Sequence, residues 1–183
     1  EIKQTTDGDF IVVGIQNVMY KVFKINSSGD LIWEQYYGGS STDIPQSVAI
    51  TSDDSFIVAG FSSSIDGDVT SNQGVFDYWI LKVDSNGDLI WEKSLGGSGD
   101  DRAMSIIESN NQGVVIAGKS TSMDGDVTNN NGDYDAWVVK LGGCNPTDSD
   151  ISVTACDMYT APDGEVYTSS GNYTSTIPNV AGC

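Results

Sequence analysis

Histidine is absent from this 183-residue chain, cysteine occurs only three times, and eight basic residues stand against 26 acidic ones. The absence of histidine removes the usual general base near neutral pH and, with so few cysteines, disfavours a zinc site. The formal charge of −18 repels nucleic acid and anionic membrane surfaces. We therefore expect neither of these as a partner.

Long apolar runs and catalytic motifs are also missing. No apolar stretch approaches the ~20 residues that cross a bilayer, so we expect no membrane insertion. The sequence has no G-x-S-x-G elbow and no phosphate-binding loop, so we expect no catalysis by these residues and no required cofactor. The N-terminus "EIKQTTDGDF" has no signal-peptide pattern, and we expect the chain to be an internal piece of a longer protein.

Turn-forming residues dominate what is present, and they separate the copies of a repeat. Asp outnumbers Glu by 21 to 5, which is typical of short strands joined by tight turns. A unit of 58 residues begins at Gly29 and again at Gly87, and a partial copy covers residues 5–28. Each unit contains four strand-like runs, as a propeller blade does. The repeat predicts an all-β fold, a partial β-propeller of about two and a half four-stranded blades over residues 1–143. A β-sandwich or a stacked solenoid is the alternative.

The strand pattern also predicts how the blades pack and where the array ends. Runs such as "FIVAG" and "GVVIAG" are apolar on both faces, which fits sheets covered on both sides by other sheets. We expect the chain to start at the second strand of a blade and the last blade to lack its fourth strand after Leu141. The strand that completes a ring would then lie upstream of Glu1. Closure needs roughly 230 to 460 residues, so we expect an open arc.

The units "GGSGDDRAMSIIESNNQGVVIAGKSTSMDGDVTNNNGDYDAWVVKLGG" and "SNGDLIWEKSLGGS" resemble the propeller-type repeats of large secreted and cell-surface proteins of Bacteroidetes bacteria. The resemblance covers residues 5–143. The tail "ISVTACDMYTAPDGEVYTSSGNYTSTIPNVAGC" resembles a Cys-bounded, Thr- and Tyr-rich β module that recurs in those proteins before a C-terminal sorting domain. The resemblance implies export by the type IX system and an extracellular or cell-surface location.

Residues 144–183 predict a separate, small and truncated β module. Thr, Tyr and Val alternate with small polar residues in "EVYTSSGNYTSTI", which is typical of a hairpin or a small sandwich. So short a module buries little core and usually needs a covalent staple. Cys156 and Cys183 bracket it, and a disulfide between them would stabilise it by about 3 to 4 kcal/mol. Cys144 is left to pair with either of them, to pair beyond Cys183, or to remain a free thiol.

The acidic loops have two interpretations. Six aspartates place hard oxygen ligands around a glycine bend, as Ca²⁺ prefers; they are Asp66, Asp68, Asp77, Asp124, Asp126 and Asp135. Their order differs from that of the EF-hand loop. In the alternative interpretation these side chains cap turns, and Gly67 and Gly125 adopt positive φ. We favour the turns and keep calcium as the second interpretation.

Aromatic residues divide into repeated and unrepeated positions. The tryptophans recur with the 58-residue period, which favours packing between blades over stacking against sugars. Four tyrosines do not all recur and are therefore the candidates for a ligand-binding surface: Tyr36, Tyr37, Tyr78 and Tyr134.

Two functions of different class fit these features. The first is a non-catalytic secreted or cell-surface repeat protein, in which the propeller is a rigid platform for adhesion or display and binds an extracellular glycan or protein. The second is an accessory propeller region of a secreted hydrolase that acts on polysaccharide. We favour the first, because the chain lacks a catalytic signature. In either case the remaining blades of the parent chain are expected partners.

Overall fold

The computed structural model describes residues 1–109, 113–128 and 130–142, and four short strands between residues 149 and 175. Every regular element in this part of the chain is a β-strand, which confirms the predicted all-β class. No helix among the described residues has the length and apolar character needed to cross a membrane. Residues 1–141 cluster as one compact unit and residues 142–183 as a second.

The first unit contains three antiparallel sheets, which we call blades 1, 2 and 3, and neighbours within each sheet follow chain order. Blade 1 contains β1 (Ile2–Gln4), β2 (Phe10–Gln16), β3 (Met19–Ile25) and β4 (Leu31–Tyr37). Blade 2 contains β5 (Asp43–Ile50), β6 (Phe56–Ser62), β7 (Asp77–Val83) and β8 (Leu89–Leu95). Blade 3 contains β9 (Asp101–Glu108), β10 (Val114–Ser120) and β11 (Asp135–Leu141). The described sheets do not close into a ring, so the unit is the partial β-propeller that the repeat predicted.

The two ends of this array differ from one another. The expectation that the chain starts at the second strand of a blade is wrong, because β1 pairs with β2 through Ile2↔Val12 and Gln4↔Phe10. A strand of three residues is too short to carry the sequence pattern of the repeat. Among the described residues blade 3 has three strands with β11 at its edge, as the missing "GDLIW" run predicts.

The second unit is described only by its strands. They are β12 (Ser149–Val153), β13 (Tyr159–Thr160), β14 (Val166–Tyr167) and β15 (Gly171–Ser175). β12 pairs with β15, and β13 pairs with β14, both in antiparallel register. The predicted disulfide between Cys156 and Cys183, and the third cysteine, Cys144, lie outside the described residues.

Blade 2 is covered on both faces. One face, which includes Trp79 and Leu81, packs against blade 1, and the other, which includes Ala59 and Ile80, packs against blade 3. All seven positions of β6 are buried, which confirms that its unalternating apolar run belongs to a sheet covered on both sides. Full burial of one Val, Leu or Ile side chain contributes about 1.5 to 3 kcal/mol. Stacking of the blades is therefore the main hydrophobic contribution to this unit.

A glycine in the second strand of blades 2 and 3 lets the neighbouring blade approach closely. A Cβ on Gly60 would lie 2.1 Å from a carbonyl oxygen of the first strand and 2.5 Å from the hydroxyl of Tyr20. Gly118 has the same surroundings, with the hydroxyl of Tyr78 again 2.5 Å away. Gly14, the equivalent glycine in blade 1, would meet nothing within 4 Å.

We expect Gly60→Ala and Gly118→Ala each to lower the free energy of unfolding by about 1 to 3 kcal/mol, because the added methyl must displace the tyrosine hydroxyl or the backbone. Gly14→Ala is the matched control. It should leave the free energy of unfolding unchanged or raise it by up to about 1 kcal/mol. Urea denaturation of the 183-residue chain, followed by tryptophan fluorescence, measures all three. Equal midpoints for the three variants would contradict the close approach.

Candidate functional site

The acidic loop of blade 2, residues 66–68, accepts hydrogen bonds from the connector between β4 and β5. Asp68 accepts a hydrogen bond from the backbone N–H of Gly38 (3.0 Å), and Asp66 accepts one from that of Ser40 (2.7 Å). The N–H of Ser40 holds the pKa of the Asp66 carboxyl below its usual range. Gly67 has a φ of +68°, the left-handed conformation that the turn interpretation predicts. These two carboxylates therefore act as caps for backbone amides.

Blade 3 repeats the arrangement with its own residues. Asp126 accepts from the N–H of Gly96 (3.0 Å), Asp124 accepts from that of Ser98 (2.7 Å), and Gly125 has a φ of +64°. Within the described residues, no group of three or more His, Cys, Asp or Glu side chains is spaced to hold a metal ion. Calcium binding by the acidic loops stays a prediction, and the geometry supports the turn interpretation.

The structure separates Asp77 from the loop aspartates that precede it in the sequence. Asp77 begins β7 and is fully buried at the junction of blades 2 and 3, where Asp101 begins β9. A Cβ on Gly96 would lie 2.5 Å from Asp77 Oδ1 and 2.6 Å from Asp101 Oδ2, so the two carboxyls converge on one point. Asp135, the equivalent in blade 3, is partly exposed and accepts from the N–H of Asn131 (2.7 Å). The six predicted aspartates thus divide between different junctions.

The surroundings of Asp77 favour its neutral form. Burial raises the pKa of its carboxyl, and the charges of Asp101 and Asp126 act in the same direction, so that the pKa is about 6. The N–H of Gln73, which donates to Asp77 Oδ2 at 2.6 Å, opposes this rise. Sequence reasoning did not select Asp101 as a site residue. Its recurrence as Asp43, one period earlier, was the available signal.

Two tyrosines cross the blade junctions. Tyr20 of blade 1 donates to the carbonyl of Trp79 in blade 2 (3.1 Å), and Tyr78 of blade 2 donates to that of Trp137 in blade 3 (2.9 Å). The ring centroids of the two pairs lie 4.5 Å and 4.4 Å apart. Both pairs are one 58-residue period apart, so the same contact joins successive blades. The position of the tyrosine in blade 3 is occupied by Ala136.

Tyr37 and Tyr78 are not available to a ligand. Both side chains are buried, and the hydroxyl of Tyr37 donates to the carbonyl of Gly87. This burial corrects the expectation that these two tyrosines contribute to a binding surface: their hydroxyls bond to the neighbouring blade. The tryptophans all belong to the clusters between blades, as the repeat predicts: Trp33, Trp79, Trp91 and Trp137.

Tyr134 is exposed, and charged groups surround it. The side chain is 47% exposed, its hydroxyl donates to Asp100 (2.6 Å), and Lys119 Nζ lies 3.9 Å from the ring centroid. Arg102 donates to the same carboxyl from Nε (2.6 Å) and from Nη2 (2.8 Å). We call these four residues the Tyr134 surface. They fix the orientation of the ring and leave part of it open to solvent.

Tyr36, the remaining candidate, lies on β4 of blade 1 and is 37% exposed. Its hydroxyl is 3.3 Å from the side-chain oxygens of Gln16 and Glu34. Lys21 pairs with Glu34 at 2.7 Å and approaches the tyrosine ring to 5.5 Å from the centroid. Tyr36 thus belongs to a polar network on blade 1, whereas Tyr134 belongs to blade 3. The structure does not bring the four predicted tyrosines together.

Comparisons with known proteins identify no relative of this chain. No model of a known protein family matches the chain, and a search of curated proteins found no match. The resemblance to Bacteroidetes surface repeats therefore stays an expectation from the sequence. Any functional conclusion depends on the residues described above.

Removal of the hydroxyl in Tyr78→Phe should lower the free energy of unfolding by about 0.5 to 1.5 kcal/mol, because the partly buried carbonyl of Trp137 loses this donor. Tyr20→Phe should have a similar effect, since it breaks the equivalent contact. Tyr36→Phe removes an exposed hydroxyl and should change stability by no more than about 0.5 kcal/mol. Urea denaturation compares the three. If Tyr78→Phe and Tyr36→Phe changed the free energy of unfolding equally little, the hydrogen bond between the blades would not contribute to stability.

The raised pKa of Asp77 predicts a pH dependence of stability. The pKa is about 6 in the folded chain against an ordinary 3.8, so the stabilisation from this proton is present at low pH and is lost as the pH rises through about 6. In EDTA at pH 7, we expect Asp77→Asn to be more stable than the wild type by roughly 1 to 3 kcal/mol. The difference should vanish near about pH 3.5. Urea midpoints between these pH values measure it, and a difference independent of pH would contradict the assignment.

Proposed function

We propose that this chain is part of an exported, cell-surface repeat protein that works as a non-catalytic platform for adhesion or display. The way the side chains are used supports this proposal. Apolar residues and tryptophans join the blades, and the loop aspartates cap the connectors. A scaffold of this kind holds its loops at fixed positions, and binding residues are commonly presented on such loops. The location outside the cell is proposed from the resemblance to secreted Bacteroidetes repeats.

The Tyr134 surface is the observation that carries the proposal. A partly exposed aromatic ring can stack against the apolar face of a sugar, while adjacent charged groups bond to its hydroxyls. Tyr134 supplies the ring, and Asp100 and Arg102 supply the polar groups. Because the hydroxyl of Tyr134 is already held by Asp100, little side-chain freedom would be lost on binding.

The charges of this surface also suit an extracellular glycan. Lys119 and Arg102 are two of only eight basic residues in a chain of net charge −18. They lower the negative potential at the point where the ring is exposed. An acidic polysaccharide would therefore meet less repulsion here than over an average part of the surface, and a neutral one would not be repelled at all.

Binding to immobilised polysaccharides tests the proposed function. The probes are cellulose, xylan, laminarin and alginate, and the 183-residue chain should bind at least one of them. Tyr134→Ala should raise the Kd by about tenfold or more, because the stacking ring is lost. Tyr36→Ala removes an exposed tyrosine on blade 1 and should leave the Kd unchanged.

Each other outcome points elsewhere. Binding that persists in Tyr134→Ala would place the ligand at a different surface. No binding to any of the four polysaccharides would contradict a glycan ligand and favour a protein partner. Release of reducing sugar from a bound polysaccharide would contradict the non-catalytic platform and favour a region of a hydrolase.

A further inference from the structure

The junction of blades 2 and 3 contains two buried carboxylates that face each other. Asp77 and Asp101 are both 0% exposed, come from different blades and converge on Gly96, which has no side chain to separate them. A third carboxyl, that of Asp126, lies at the same junction. It accepts from the N–H of Gly96 (3.0 Å) and from the side-chain amide of Gln73 (3.2 Å). Asp126 is exposed, so the negative charge that is buried at this junction is that of Asp77 and Asp101.

Each carboxyl of the pair has one oxygen without a donor. Asp77 Oδ2 accepts from the N–H of Gln73 (2.6 Å). Asp101 Oδ2 accepts from the N–H of Gly97 (2.8 Å) and from the hydroxyl of Ser122 (2.7 Å). Asp77 Oδ1 and Asp101 Oδ1 are buried and have no hydrogen-bond partner in the described part of the chain. Burial of a charged oxygen without a partner is costly. Asp77 Oδ1, which converges with Asp101 Oδ2 on Gly96, therefore points to a missing ligand.

Basic side chains do not supply the missing charge. Among the described residues, no lysine or arginine forms an ion pair with Asp77 or Asp101. Arg102, the next residue in the chain, is directed to Asp100 at 2.6 Å. Within the described residues, the two buried carboxyls therefore have no basic side chain to neutralise them.

The junction of blades 1 and 2 has the same backbone arrangement but lacks the pair of carboxylates. Asp43 corresponds there to the second aspartate, but Met19 stands in the position of the first. Both oxygens of Asp43 are bonded, Oδ1 to the hydroxyl of Ser62 (2.5 Å) and Oδ2 to that of Ser64 (3.0 Å). Buried carboxylate oxygens without a partner therefore occur at the junction that contains both Asp77 and Asp101, and not at the junction that contains Asp43 alone.

We propose that Asp77 and Asp101 bind a Ca²⁺ ion at the junction of blades 2 and 3, with the carboxyl of Asp126 beside them. Carboxylate oxygens are the ligands that calcium prefers, and it completes its coordination with backbone carbonyls and water. Two carboxylates can therefore serve without a third acidic ligand. The ion would neutralise the pair and join β7 to β9. This site crosses the blade boundary, and the acidic loop of blade 3 reaches it through Asp126.

Calcium titration of the 183-residue chain tests the site. After EDTA treatment and dialysis, the chain is titrated with CaCl₂, and its thermal unfolding is recorded at each concentration. Extracellular calcium modules bind at about 10⁻⁴ to 10⁻³ M, so saturation is expected in the millimolar range. At saturation we expect the Tm to rise by roughly 5 °C or more, and calorimetry to report a single site.

Two variants and one control separate this site from general charge effects. Asp77→Asn removes the charge at constant size, and Asp77→Met introduces the residue that blade 1 has at this position. Both should fold and lose the calcium-dependent rise in Tm. Asp88→Asn removes an exposed charge from blade 2 and should keep the full rise.

Two results would overturn the proposal. In the first, the calcium response persists in both Asp77 variants, which would place the ion elsewhere. In the second, saturating calcium leaves the Tm of the wild type unchanged, which would mean that the pair binds no cation.

Discussion

The hydroxyl of Tyr78 meets the backbone carbonyl of Trp137 between blades 2 and 3, and Tyr20 meets Trp79 in the same way one period earlier. Both contacts lie inside apolar faces that are stable only when another sheet covers them. The rest of the unit is arranged around this requirement. Strand β6 is apolar on both sides, and a glycine in the second strand leaves room for the incoming hydroxyl. The stability of a blade therefore depends on packing against its neighbours as well as on the hydrogen bonds within its own sheet.

This stacking decides which polar groups remain for chemistry. The loop aspartates, which look like metal ligands in the sequence, are occupied by backbone amides such as those of Ser40 and Ser98. Among the described residues, the exposed Tyr134 surface and the buried pair of Asp77 and Asp101 are groups that the scaffold does not use in this way. The Tyr134 surface lies where one blade departs from the repeat, and the carboxylate pair lies where two blades meet.

The blades differ from one another in the residues at a few equivalent positions. Met19 and Asp77 occupy the same position in blades 1 and 2, so a thioether side chain stands in blade 1 where blade 2 has a buried carboxylate. Ala136 takes the place of Tyr78 in blade 3, so the face of that blade lacks the hydroxyl that joins the earlier ones. A repeated scaffold can in this way carry unrepeated sites, because single substitutions change a junction without changing the fold.

The 58-residue period by itself determined the all-β class, the blade architecture, the burial of strands on both faces and the three-stranded form of blade 3 in the described residues. These features follow from local pattern and from turn chemistry, which are written in neighbouring residues. The three-residue strand β1 left no such pattern. Only the tertiary structure decided that Tyr37 and Tyr78 are buried and that Asp77 faces Asp101. The reason is physical: spacing within a unit reports which residues share a strand or a turn, whereas a junction joins residues of different units whose approach depends on how the sheets stack.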